Sequence, residues 1–191
     1  MGYKLVIARI GLFIVLIGLW ACATAEVPLA PISAQIAAKR FRWPPVHRVN
    51  IYVYRNQSSA SGDDLDLYVD GVRIGSLGFK TFVVVAVCAG RHVLATKAPA
   101  AARSEQGLRD LFGSDDELSM QVQAGWNYFV KLSVAWRLAT GGLVGAIVPR
   151  KASWEMMDAA DGKSDVMECQ LIAESPALMP PRCAVETVEA L

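Results

Sequence analysis

Residues 126–136 read WNYFVKLSVAW. Trp126, Tyr128, Val130, Leu132, Val134 and Trp136 recur at every second position. Side chains alternate across a strand, so this spacing predicts a β-strand with six inward positions. Phe129 falls on the other face, where an aromatic ring implies a second layer or a partner surface. Just upstream, Leu118, Met120 and Val122 alternate with Ser119, Gln121 and Gln123, and Ala124-Gly125 supplies the turn of a hairpin.

The same pattern extends towards the N-terminus. Val49, Ile51 and Val53 alternate with Asn50, Tyr52 and Tyr54, and Leu65, Leu67 and Val69 with Asp66 and Tyr68. Asp70-Gly71 then marks a tight hairpin, because a type I′ turn needs positive φ at both central residues. Val72 and Ile74 continue the return strand. Residues 82–87 are apolar on both faces, as a strand covered on both sides must be. Ala89-Gly90 turns into His92, Val93 and Leu94. Residues 143–148 and 153–157 read as two last strands. Between the hairpins, residues 97–116 lack a strand pattern, and Leu108, Leu111 and Phe112 fit one helical turn. Seven or eight short antiparallel strands with frequent turns predict an all-β fold, an antiparallel β-sandwich over residues 46–157. A domain of about 110–120 residues buries roughly two-thirds of its unfolded surface and can fold alone.

Four elements stand in a familiar order: VNIYVYR (49–55), YVDGVRIGSL (68–77), AGRHVL (89–94) and QAGWNYFV (123–130). Together they resemble an uncharacterised family of exported bacterial lipoprotein β-sandwich domains of unknown function, similar in pattern to PEGA-type surface domains. The resemblance covers about residues 41–160. Ala89 stands where the pattern has Pro, and Phe129 where it has a second Tyr. The resemblance implies an address and a fold and carries no catalytic group.

The flanks complete the organisation. Residues 1–21 place Lys4 and Arg9 before an uncharged apolar run at 10–20, the layout of a bacterial export signal. That run is shorter than the ~20 residues of a membrane-spanning helix. Leu19-Trp20-Ala21-Cys22 resembles a lipoprotein cleavage site, which makes Cys22 the lipidation site and residues 22–45 a Pro- and Ala-rich tether with a helix over 33–40. Ala23 in place of Asp directs such a lipoprotein to the outer membrane, facing the periplasm. Two alternatives stay open. Cleavage after Ala23-Thr24-Ala25 gives a soluble periplasmic protein, and an uncut leader gives a signal anchor. Residues 158–191 form a tail, with a turn at Asp161-Gly162 and a helix over 165–173 capped by Ser164.

Composition and charge exclude more than they assign. The 191 residues are 53% hydrophobic and 19% charged, which excludes a disordered chain. Nineteen basic residues face 18 acidic ones, and loss of Lys4 and Arg9 with the leader leaves 17 against 18. So near-neutral a chain has no electrostatic footprint for nucleic acid. Cys169 and Cys183 are expected to pair in an oxidising periplasm, or else to stay free, and Cys88 reads as a small buried hydrophobe.

Chemistry is thinly signalled. His47 and His92 are the only histidines, and no paired metal-ligand spacing occurs, so neither a metal nor a cofactor is expected. His92 reads as a structural histidine. Asp63, Asp64 and Asp66 read as a solvated turn rather than a calcium loop. Residues 140–145 are glycine-rich without the Lys-Ser/Thr of a phosphate loop, and no G-x-S-x-G nucleophile elbow is present. The expectation is a non-enzymatic envelope lipoprotein, a binding or structural module that binds the membrane through its lipid and offers its sandwich to an envelope protein or to the cell wall. Service to a secretion or surface-assembly machine is the alternative.

Overall fold

A computed structural model describes residues 27–57, 64–97, 116–139 and 146–173. The leader, Cys22, Asp63, the turn expected at Leu108, Leu111 and Phe112, the glycine-rich stretch at 140–145 and Cys183 lie outside these residues.

The strands follow the period-two segments closely. They are β1 (Arg48–Arg55), β2 (Leu65–Val69), β3 (Val72–Leu77), β4 (Thr81–Cys88), β5 (Gly90–Lys97), β6 (Asp116–Val122), β7 (Asn127–Ala139), β8 (Ala146–Met157) and β9 (Gln170–Leu171). One sheet runs β8-β7-β1-β4-β9 and the other β3-β2-β5-β6. Their facing sides share one core. Val49, Ile51, Val53, Val83, Val85, Val130 and Leu132 of the first sheet meet Leu67, Val69, Ile74, Leu77, Leu94, Met120 and Val122 of the second. The fold is therefore mostly β in two stacked sheets, as the alternation predicts.

Two expectations are corrected. The sandwich is not wholly antiparallel, because β1 pairs parallel with β7 and β4 with β9. A parallel neighbour demands a long crossover, and a single strand's hydrophobic pattern does not reveal its partner. The two last strands are one, β8, which runs antiparallel to β7 through a register shift opposite Ala135/Trp136. Pro149 sits at that irregularity, on the sheet's outer strand, where proline costs no ladder hydrogen bond. The Asp70-Gly71 turn forms as expected, with φ of +50° and +79°.

The outer face of the five-stranded sheet carries a second core. Tyr52, Tyr54, Phe82 and Phe129 point away from the first core and pack with Val166, Cys169, Leu171 and Ala30. Two helices lie there, α1 (Ile32–Ala38) and α2 (Ala159–Met167). This layer explains why β4 is apolar on both faces. It also corrects two further expectations. Helix α2 begins six residues earlier than expected, capped by Asp158, whose Oδ1 accepts from Ala160 N and Asp161 N at 2.8 and 3.0 Å. Asp161-Gly162 is thus helix rather than turn. Gly162 is required where it stands, since an added Cβ would overlap Phe129 Cβ.

The expected tether is seated from Val27 onwards, whose side chain packs on the first core. Ala30 N donates to Leu171 O at 2.9 Å and Ala173 N to Pro28 O at 2.7 Å, with Leu29 bridged to Ile172. Ala34, Ala38 and Phe41 pack on the second core, and Tyr52 Oη donates to Ala38 O at 3.3 Å. Residues 28–43 form a strap across the sheet, not a solvated stalk. Among the described residues no helix is long and apolar enough to cross a membrane.

Candidate functional site

Polar side chains gather in three places. The first lies under α2. Tyr54, buried on β1, donates its phenol to Asp165 Oδ2 at 2.9 Å, and Lys131 Nζ of β7 stands 3.4 Å from the same oxygen. Cys169 is a free thiol, 1% exposed, whose Sγ donates to Asp165 O at 3.4 Å. Burial raises the Tyr54 phenol strongly, and the Asp165 hydrogen bond and charge add to the shift. Burial likewise raises Cys169 from 9.0 to about 11, helped by the Asp165 charge. A nucleophilic cysteine needs a lowered pKa and access; this one is protonated at neutral pH and enclosed. The cluster clamps α2 to β1 and β7.

The second gathers around the Asp70-Gly71 turn. Asp70 Oδ1 accepts from Val93 N at 2.9 Å, and Asp70 Oδ2 lies 2.7 Å from His92 Nδ1. His92 Nε2 lies 2.9 Å from Cys88 O. Both ring nitrogens are thus spent on one hairpin and its neighbour, which makes His92 the structural histidine expected. The third is on β2 and β3, where buried Asp66 accepts from Arg73 Nη2 at 2.7 Å and Ser76 Oγ at 2.8 Å. Asp66 therefore belongs to a hairpin clasp and not to a solvated turn. Among the described residues no three His, Cys, Asp or Glu side chains stand together to hold a metal ion.

The cysteines depart from expectation. Cys169 is free rather than half of a pair with Cys183. Its seat beneath α2, against Asp165 and the carbonyl of Arg55, encloses the sulfur. Cys88 is disulfide-bonded, not a lone small hydrophobe.

A fourth feature is apolar and exposed. Trp126, expected inside, lies just before β7, is 54% exposed and meets Trp43 edge-to-face at 5.7 Å. The alternation places it correctly in phase, but the ladder begins one residue later. Asn127 fixes the approach of the strap. Its Nδ2 donates to Phe41 O at 3.0 Å and its Oδ1 accepts from Asn50 Nδ2 at 3.1 Å. Phe41 thereby holds φ +48°, and its ring tilts against Tyr52 and Phe129. Phe129 itself is buried and stacked on Tyr52 at 5.0 Å, which resolves its face as a second layer. Trp43 then projects into solvent, 69% exposed. Sequence reasoning missed this pair, because two tryptophans 83 positions apart carry no shared pattern.

Comparisons with known proteins place the chain without giving it a chemistry. The family model described as "Protein of unknown function (DUF2846)" matches residues 46–143, about half of the chain. A relative from Haemophilus influenzae, described as "Uncharacterized protein", is 26% identical over 172 residues, covering 89% of this chain and 88% of its own. No solved structure matches.

Proposed function

We propose that this chain, which belongs to the DUF2846 family of proteins of unknown function, is a lipid-anchored, non-catalytic binding module of the bacterial cell envelope. One observation carries the reading. An apolar run of export-signal length ends in Leu19-Trp20-Ala21-Cys22, and a folded sandwich follows it after the strap. Transfer of a diacylglyceryl group to the Cys22 thiol, with cleavage before Cys22, places two or more chains in the bilayer, enough for stable anchoring where a single chain is marginal. Ala23 favours the outer membrane. The spent polar groups support a binding role over a catalytic one. Tyr54, Lys131 and Asp165 hold a helix, His92 and Asp70 hold a hairpin, and the Cys169 thiol is kept protonated.

The test is metabolic labelling with palmitate, followed by membrane fractionation. The wild-type chain carries label and sediments with outer membranes, and Cys22→Ala loses the label. Label retained by Cys22→Ala would end the anchored reading. The second reading, a soluble periplasmic module, is favoured by Ala23-Thr24-Ala25. It predicts a mature N-terminus at Glu26 and recovery in the osmotic-shock fluid.

A further inference from the structure

Helix α1 is oriented against the usual rule. A surface helix turns its large apolar side chains to the core. Here Ala34 and Ala38 face the second core, while Ile32 is 76% and Ile36 54% exposed. Beyond the helix the outward apolar series continues with Trp43, next to Trp126, and with Val46 at 78% exposure. Leu29 begins it. Isolated exposed apolar residues need no explanation, but a series along one strap does.

Charge and chain length say what covers it. No acidic residue occurs between Glu26 and Asp63, whereas the exposed Arg40 and Arg42 and the half-buried Arg48 do, Lys39 being turned to Met167 O at 2.9 Å. Basic side chains interleaved with tryptophan and isoleucine suit the headgroup region of an anionic bilayer, where indole rings settle and each cation adds attraction. Acids of the same layer, Asp158, Asp161 and Glu168, are exposed on and beside α2. The basic strap, and not α2, is thus the edge suited to an anionic surface. Leu29, the first seated residue to contribute, follows Cys22 by seven positions. Seven residues span at most about 25 Å when fully extended, so a lipid on Cys22 keeps the strap beside the membrane.

We propose that the strap face, Leu29, Ile32, Ile36, Trp43 and Val46 with Trp126, docks on the surface of an anionic bilayer and fixes the sandwich against the membrane. This rests on the anchored reading for its proximity. The test separates the two. Full-length protein is placed in vesicles of phosphatidylethanolamine and phosphatidylglycerol with brominated acyl chains, and tryptophan emission is read. Trp43→Phe with Trp126→Phe lowers the quenching by about threefold. In a Cys22→Ala chain, Ile32→Ser with Ile36→Ser weakens vesicle binding by about tenfold, and replacing phosphatidylglycerol by phosphatidylcholine does the same. All four side chains are exposed, so the variants unfold at the parent's midpoint.

Quenching equal in parent and tryptophan variant overturns the docking. If Cys22→Ala then still abolishes palmitate label, the anchor survives alone. Label unaffected by Cys22→Ala, with quenching lost on removing the tryptophans, rejects the anchor and keeps the docking. A dimer that the two serines dissociate, with no quenching in vesicles, assigns the face to a second copy and overturns the proposal. A photo-crosslinker at Ile36 that captures an envelope protein and no lipid overturns it as well.

Discussion

Gly162 shows how one missing side chain sets a layer. The close approach of α2 to the sheet leaves no room between Gly162 and Phe129 for a methyl group. Gly162→Ala gains up to about 1 kcal/mol of helix propensity, against an overpacking cost of about 1–3 kcal/mol. The expected net effect is a loss of about 1–2 kcal/mol, checked by urea unfolding. Cys169 gives a second test at this scale. Its pKa rises from 9.0 in the unfolded chain to about 11 in the folded one. The folded state thus binds the thiol proton more tightly, and the contribution to stability is complete below pH 9 and lost as pH climbs towards 11. Tyr52, pushed up to about 12 by burial, extends the same trend to higher pH. The decline of stability between pH 9 and 11 is therefore expected to be shallower in Cys169→Ala, as read by denaturant midpoints at each pH.

Elements are where sequence reading succeeds and fails for definite reasons. Period-two alternation is a local property, so β1, β2 and β3 and the Asp70-Gly71 turn are visible in the residues alone. Partner choice is not local, and the parallel pairing of β1 with β7 could not be read. Gly162 sends the wrong signal because glycine next to aspartate marks a turn in isolation, whereas here close packing demands it. Pro28, Pro31, Pro44 and Pro45 suggest a solvated stalk, yet the residues between them use alanine to lie flat on the sheet. The polar clusters were partly legible. His92 was placed correctly as structural, while the Tyr54–Lys131–Asp165 clamp joins three distant segments and left no trace. That clamp predicts an outcome of its own. Tyr54→Phe removes the hydroxyl and leaves the buried ring, so about 1–2 kcal/mol should be lost as Asp165 gives up its 2.9 Å donor. Hydrogen exchange should then quicken in α2 more than in β5 and β6, which sit in the other sheet.

At the scale of the whole molecule, two cores of unequal kind share one sheet. The inner core is closed by eight strands that lock one another through long ladders. The outer core is closed on one side by a strap of 16 residues whose grip is a few hydrogen bonds, three alanines and the Phe41 ring. The strap therefore belongs to the low-stability end of the fold, and its two faces must respond unequally to polar substitution. Ala34→Glu or Ala38→Glu sets a carboxylate on the half-buried side of the helix, against the outer core. A cost of about 2–3 kcal/mol is expected, with dye binding as the outer core opens. Ile36→Glu on the outward face is expected to shift the unfolding midpoint by less than about 0.5 kcal/mol. Equal losses from both faces, in a protein free of vesicles, would mean that Ile36 already has an intramolecular partner. Unequal losses leave the large apolar face to something outside the chain, because folding alone gives no reason to keep isoleucine in water while the half-buried alanines face the core.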